Sequence, residues 1–274
     1  MTRLPALHLI LSLLALSLAL LTSAPAAVAG EVVLYGAGSL HDALSAIATA
    51  FTARTGIAVR SAFGPSGLIR EKIEAGDKVD LFASADMGHA LKLRQDGKAA
   101  AVMMFTRNKL CVFAKPGVGL DAANFAERLI DPAVRIGTST PKADPGGDYT
   151  WAMFHLIDKA KPGAFAILDA KAQKIVGATT TPSEPDPIAA AFASGRIDMM
   201  VGYCSGAEQR RKATPDLAVV EVPAPFTTGP EYGLAIMRLD NADAVALALA
   251  IEAPEGQATL ARFGFAPIGL PAKP

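Results

Sequence analysis

Short apolar runs alternate with amphipathic segments in the part of the chain that follows its apolar leader. The runs at 31–35, 57–63 and 80–84 are predicted to be strands. Between them, Ser39 opens a segment with apolar residues at helical spacing, and 68–75 is a second helical segment that ends at a glycine. Strands that alternate with helices in this way predict βαβ units on a parallel sheet. The pattern therefore predicts an α/β fold.

The remainder of the chain continues the alternation at less regular spacing. Further strands are predicted at 109–114, 134–137, 199–203 and 217–222. The sequence Pro145-Gly-Gly-Asp148 leads into a predicted helix at 149–159, and later helices are predicted at 188–194, 242–251 and 254–262. The length suits one large domain or two lobes.

The leader itself has the pattern of a secretory signal peptide. A single charge at Arg3 precedes an apolar stretch, and Ala27-Val-Ala29 supplies a small-residue cleavage site. We expect residues 1–29 to be removed by cleavage after Ala29. The alternative is an N-terminal membrane anchor, since the apolar stretch nearly reaches spanning length.

The charge and hydrophobic content of the chain argue against disorder and against a nucleic-acid partner. The chain has 26 Lys and Arg against 26 Asp and Glu, and 51% of its residues are hydrophobic. Disorder is excluded, because it requires low hydrophobicity and a high net charge. A nucleic-acid partner is not expected, because a protein without net positive charge lacks the field that attracts phosphates.

Cys111 and Cys204 are the only cysteines of the sequence. Exported proteins enter an oxidising compartment, where an even number of cysteines favours pairing. We therefore expect a Cys111–Cys204 disulfide. The alternative is a pair of buried thiols that pack as small hydrophobic groups.

Two serines lie where a predicted strand ends and a helix begins, Ser39 and Ser66. The first turn of a helix offers free backbone N–H groups and partial positive charge, and a serine hydroxyl adds one more donor. Both helix starts lie at the same edge of an open parallel sheet, so the two serines can hold one anion together. The alternative is plain N-capping, a common role of serine.

The segment Gly202-Tyr-Cys-Ser-Gly206 fits G-x-C-x-G, the cysteine form of a nucleophile elbow. An α/β hydrolase needs a histidine after its nucleophile, but the last histidine, His155, precedes Cys204. The run of charged residues at 208–212 does not suggest a buried helix either.

His41, His89 and His155 have no metal-ligand spacing, and Gly36-Ala-Gly38 fails the dinucleotide pattern. We therefore expect no enzyme activity, no cofactor and no metal-cation ligands.

Several short motifs, taken in order, resemble the periplasmic molybdate-binding proteins of ABC transporters. In the first part of the chain these are Gly36-Ala-Gly-Ser-Leu40, Phe51-Thr-Ala-Arg-Thr-Gly56, Phe63-Gly-Pro-Ser-Gly67 and Asp80-Leu-Phe-Ala-Ser-Ala-Asp86. Later ones are Phe105-Thr-Arg-Asn-Lys-Leu110, Pro145-Gly-Gly-Asp-Tyr149, Val201-Gly-Tyr203 and Gly264-Phe-Ala-Pro267. The resemblance covers nearly all of the chain after the leader, and its specificity lies in the order and spacing of the motifs.

This resemblance implies a type II periplasmic-binding-protein fold, with a ligand cleft between two lobes joined by a two-strand hinge. Lobe one would comprise 30–108 and 229–274, and lobe two 109–228. The implied ligand is a tetrahedral oxyanion, molybdate or tungstate. It would be held by the hydroxyls of Ser39, Ser66 and Tyr203 and by the backbone amide of Gly146.

The implied partners are the oxyanion and a membrane permease, and the protein would be a periplasmic monomer. The segment 181–187 departs from the family pattern, because its three prolines have no N–H to donate and its two acids repel anions. Either Ser183 or Glu184 supplies an amide there, or the site holds a different small anion.

Overall fold

The computed structural model describes residues 30–177 and 186–268, so the predicted signal peptide lies outside the described residues. The strands are β1 (Glu31–Ala37), β2 (Ala58–Gly64), β3 (Leu81–Ser84), β4 (Ala101–Arg107), β5 (Leu110–Ala114), β6 (Ile136–Ser139), β7 (Gln173–Val176), β8 (Met199–Tyr203), β9 (Ala218–Glu221), β10 (Glu231–Ile236) and β11 (Ala266–Pro267). The helices are α1 (His41–Thr55), α2 (Ser66–Ala75), α3 (Met87–Gln95), α4 (Phe125–Ile130), α5 (Pro145–Ala160), α6 (Ala164–Lys171), α7 (Pro187–Ala193), α8 (Ala207–Ala213), α9 (Ala242–Glu252) and α10 (Pro254–Arg262).

The first sheet has the strand order β11-β4-β10-β3-β1-β2. Apolar side chains from α1, α9 and α10 cover one face, among them Leu44 and Leu247. Side chains from α2 and α3, among them Ile69 and Leu93, cover the other face. Burial on both faces explains why β1 and β3 are nearly continuous apolar runs in the sequence.

The second sheet has the strand order β7-β6-β8-β5-β9. At its centre Val112 of β5 lies opposite Val201 of β8 and Val220 of β9. Helices α4, α5 and α6 pack on one face through buried residues such as Phe154. Helix α7 packs on the other face through Phe192.

Two stretches of chain connect the sheets. Asn108 and Lys109 lead from β4 to β5, and residues 222–230 lead back from β9 to β10. Strands from 31–107 and 231–267 thus build the first sheet, and strands from 110–221 build the second. The predicted two-lobed α/β fold is confirmed. The predicted lobe boundaries fall within the two connections and stay a prediction.

The expectation of a parallel sheet is only partly correct. β1 is parallel to both β2 and β3, and β6 is parallel to β7 and β8. β10, however, is antiparallel to β3 and to β4, and β5 is antiparallel to β8 and β9. The reason is topological, since β4 leaves toward the second sheet and β10 returns from it in the opposite direction.

Helices α3, α4 and α6 and strands β4, β7, β10 and β11 were not predicted from the sequence, and two further helices differ from the expectation. α5 begins at Pro145 and not at Tyr149, because Asp144 caps it and proline is suited to a first helical position. The charged run at 208–212 forms most of α8, and its Arg210 is buried. Within the two described ranges, no helix combines the length and apolar character needed to cross a membrane.

Candidate functional site

A cavity of about 610 Å³ lies between the two sheets. The first sheet and its helices contribute Ser39, Gly64 and Ala85 to its wall. The second contributes Asp144 and Tyr203. Two of the four predicted ligand-binding residues, Ser39 and Tyr203, therefore line one cavity from opposite sides.

Ser39 follows β1 in a short 3₁₀ turn, Gly38–Leu40. Its hydroxyl oxygen lies 3.0 Å from that of Tyr232, a fully buried residue of β10. Asn108 Nδ2 donates to the Tyr232 hydroxyl at 3.1 Å and to the Ser205 hydroxyl at 2.8 Å. With its oxygen already accepting from Asn108, Tyr232 can donate its proton to Ser39, which leaves the Ser39 proton free for a ligand.

Tyr203 is the last residue of β8, and its ring packs against that of Tyr232 at 66° with the centroids 5.7 Å apart. Its hydroxyl is buried and has no hydrogen-bond partner among the residues that the structure describes. Burial raises the pKa of Tyr203 well above its usual value, so the hydroxyl keeps its proton. A buried hydroxyl without a partner is unfavourable, and a ligand in the cavity would supply the missing acceptor.

Ser66 is the first residue of α2 and is fully buried. Its Oγ accepts a hydrogen bond of 3.1 Å from the backbone N–H of Ala85. Ala85 lines the cavity, whereas Ser66 is not part of the wall. In this structure Ser66 thus fixes the loop between β3 and α3, and its predicted contact with a ligand stays a prediction.

The backbone N–H of Gly146 donates a hydrogen bond of 2.8 Å to Asp144 Oδ1. A Cβ at Gly146 would lie 2.9 Å from that oxygen and 3.2 Å from Ser139 Oγ, so a larger residue would push on both side chains. The amide predicted to bind the ligand is therefore already engaged by a carboxylate.

Asp144 is a site residue that the sequence reasoning did not identify. Burial raises the pKa of Asp144 to about 6, although hydrogen bonds from the Gly146 amide and the Ser139 hydroxyl act in the opposite direction. The nearby charges of Asp148 and Asp86 raise this pKa further. The only sequence feature that could have indicated Asp144 is an acidic residue directly before Pro145 at a helix start. That feature is also typical of an ordinary N-cap.

Asp186 and Arg210 form an ion pair on the cavity wall, with Arg210 Nη1 2.8 Å from Asp186 Oδ1. The same oxygen accepts the N–H groups of Ile188 and Ala189 and so caps α7. Burial acts to raise the pKa of Asp186, but the Arg210 guanidinium and the two amides together lower it. Of the predicted amide-bearing segment 181–187, residues 181–185, including Ser183 and Glu184, lie outside the described residues.

Cys111 and Cys204 are joined by a disulfide with an S–S distance of 2.02 Å. Cys111 lies opposite Gly202 on the adjacent strand, and Cys204 directly follows Tyr203. The bond thus ties β5 to the end of β8 beside Tyr203, which lines the cavity. A disulfide-bonded Cys204 has no thiolate to act as a nucleophile, which removes the hydrolase alternative.

The model of the family described as bacterial extracellular solute-binding protein matches residues 32–266. An uncharacterised protein from Pasteurella multocida is 35% identical over 203 residues, which are 73% of this chain and 84% of that protein. The molybdate-binding protein ModA of Escherichia coli is 30% identical over 128 residues, which are 44% of this chain and 49% of ModA.

Among solved structures, the sulfate-binding protein SubI from Mycobacterium tuberculosis superposes with a TM-score of 0.73. The match covers 87% of both chains at 17% sequence identity. Likeness at this identity establishes the fold, which is that of type II periplasmic binding proteins.

Proposed function

We propose that this chain, which belongs to the family of bacterial extracellular solute-binding proteins, captures a small oxyanion between its two sheets for an ABC transporter. Binding and delivery of a solute, and not catalysis, is the role of this family. The membrane permease of the transporter would be the protein partner. Closure of two lobes around the ligand would be the working motion.

One observation carries the proposal. The hydroxyl of Tyr203 is buried without a partner among the described residues, and it belongs to a cavity that Ser39 lines from the opposite sheet. Neutral hydroxyl donors held in fixed positions can supply the hydrogen bonds that the oxygens of a buried anion need, without a positively charged side chain. Ser66 and the Gly146 amide would complete the donor set if the loops around them rearrange when the ligand binds.

Molybdate or tungstate is the first candidate ligand. The motifs around Ser39, Ser66 and Tyr203 resemble those of molybdate-binding proteins, and ModA of Escherichia coli is a relative over part of the chain. The two anions have nearly the same size and charge, so we expect little discrimination between them.

A different small anion is the second candidate, and the cavity itself favours it. Its volume of about 610 Å³ is much larger than a tetrahedral oxyanion requires. Asp144 and the Asp186–Arg210 pair also add charged groups to the wall. A larger anion could use these groups as well as the hydroxyls.

We also propose that the protein works in the periplasm after removal of residues 1–29. Mass spectrometry of the protein recovered from the periplasm should give a chain that begins at Gly30. A chain that retains the leader would support the membrane-anchor alternative.

Calorimetric titration with molybdate, tungstate, sulfate and phosphate tests the proposed function. Tyr203→Phe should weaken binding by about 10- to 100-fold, the usual effect of losing a hydrogen bond to a charged group. Tyr35→Phe is the matched control, because the Tyr35 hydroxyl bonds to Asp77 and is not part of the cavity wall. Absence of binding heat with all four anions would refute the oxyanion proposal.

A further inference from the structure

Asp144 is one of the residues that line the cavity in which the proposed function places an anion. We propose that Asp144 decides which anions this cavity accepts: a bound anion must either find the Asp144 carboxyl protonated or present a protonated oxygen of its own to it. This inference rests on the proposed function, because it concerns the same cavity and the same ligand.

The argument begins with repulsion between like charges. A carboxylate and an anionic oxygen in contact inside a protein repel each other far more strongly than they do in water. A single proton between the two oxygens converts that repulsion into a strong hydrogen bond. The proton can come from solvent and reside on Asp144, or it can belong to the ligand.

The groups that surround Asp144 do not neutralise it. From its own helix α5 come the Gly146 amide on Oδ1 and the negative charge of Asp148, and Asp86 beside α3 adds a second negative charge. Tyr203 faces the same cavity in its neutral form. Among the described residues of the wall, Arg210 is the only Lys, Arg or His, and it is already paired with Asp186.

Asp144 is well placed to take the proton. Burial raises the pKa of Asp144 to about 6, so the carboxyl is protonated more easily than an exposed one. In this structure Oδ1 accepts the Gly146 amide, so the added proton would reside on Oδ2. About pH 8 is about two units above this pKa, so only about one Asp144 carboxyl in 100 is protonated there. An anion that needs the protonated carboxyl would therefore bind about 100-fold more weakly than it would if every carboxyl were protonated.

The consequence is a division between two kinds of anion. Sulfate and molybdate carry no proton at neutral pH, so each would bind together with one proton taken from solvent. Hydrogen phosphate brings its own proton and would bind to the ionised carboxyl without proton uptake. The shared requirement is one proton between Asp144 and the ligand.

Calorimetry of the mature chain at about pH 8, in buffers with different ionisation heats, counts the protons taken up on binding. With molybdate we expect about one proton per anion for the unmodified protein. For Asp144→Asn we expect almost none, together with molybdate affinity about 100-fold tighter. The side-chain amide that this substitution introduces keeps an oxygen for the Gly146 N–H. Asp148→Asn is the control and should retain the uptake of about one proton, because Asp148 is not part of the cavity wall.

Hydrogen phosphate supplies the opposite arm of the experiment. If it is a ligand, it should bind the unmodified protein with little proton uptake, and Asp144→Asn should weaken it. Molybdate binding without proton uptake, and unchanged by Asp144→Asn, would overturn this inference and leave the proposed function intact. Absence of binding of all four anions to both proteins would overturn the two together.

Discussion

The backbone N–H of Gly67 donates a hydrogen bond of 2.9 Å to the carbonyl oxygen of Ala143. Gly67 lies in the first turn of α2, against the first sheet, and Ala143 lies in the loop before α5, against the second. A Cβ on Gly67 would overlap the Lys142 carbonyl oxygen and would lie 2.8 Å from that of Ala143. The direct contact between the two halves of the chain therefore requires glycine at position 67.

Gly67→Ala should hinder this contact. It should therefore disfavour the proposed closure of the two lobes around the ligand. We expect it to weaken anion binding by about 10-fold or more, because overpacking of this kind costs about 1–3 kcal/mol. Gly88→Ala is the control, since its Cβ would make its nearest contact with Asp86 Oδ2 at an ordinary 3.5 Å. Equal affinities of the two variants, measured by calorimetry, would show that the Gly67 contact has no part in binding.

Tyr232→Phe tests the chain of donors that runs from Asn108 through Tyr232 to Ser39. The substitution removes a hydroxyl that is fully buried and does not line the cavity. Ser39 would then lose the partner that orients it, and we expect anion affinity to fall by about 3- to 10-fold. The same titration should show no change for Tyr35→Phe. Wild-type affinity in Tyr232→Phe would mean that Ser39 needs no such support.

The disulfide between Cys111 and Cys204 should contribute substantially to stability. The two residues are 93 positions apart, and a cross-link of this length lowers the entropy of the unfolded chain. Cys111→Ser combined with Cys204→Ser should reduce the free energy of unfolding by about 2–5 kcal/mol, measured by denaturant titration. A thiol count on the denatured, unreduced protein should be close to zero. Two reactive thiols would show that the bond is absent in solution.

Asp144 should make the free protein less stable as the pH rises. Its pKa is 3.8 ordinarily and about 6 in the fold, so the folded chain holds this proton more tightly than the unfolded chain does. Stability is therefore lost as the pH rises from about 4 to about 6, by at most about 3 kcal/mol, and stays lower above that range.

Asp144→Asn should remove this loss. We expect the variant to unfold at a higher denaturant concentration than the unmodified protein at about pH 8, and the difference to shrink at about pH 4. Parallel stability curves for the two proteins across this range would contradict the raised pKa. A gain in stability on removal of a charged group is common where a residue serves binding at the expense of folding.

Helices and strands with a clear pattern of apolar residues could be predicted from the sequence alone. The apolar run 199–203 matches β8, and Pro254–Arg262 agrees with the last predicted helix. Ser39, which lines the cavity, was predicted as a candidate because a strand, a glycine and a helix start are adjacent in the chain. Tyr203, which lines the cavity too, was predicted as a candidate through the resemblance to a family and not through a pattern of its own.

The residues at the candidate site that the sequence did not indicate owe their roles to contacts with residues far away in the sequence. Tyr232 meets Ser39 across 193 positions, and no local pattern indicates that pairing. Arg210 belongs to a charged run that is typical of an exposed helix, but it is buried and paired with Asp186. Asp144 has the sequence of an ordinary helix cap, and only the cavity beside it distinguishes it from one.

Crystallography of the protein grown with molybdate at about pH 5.5, where Asp144 is mostly protonated, tests the central claim most directly. Anomalous scattering locates molybdenum without reference to the protein. We expect one strong peak in the cavity between the two sheets, with oxygens of the anion within hydrogen-bond distance of Ser39 Oγ and Tyr203 Oη. A peak elsewhere on the protein, or a cavity without one, would contradict the assignment of this cavity as a molybdate site.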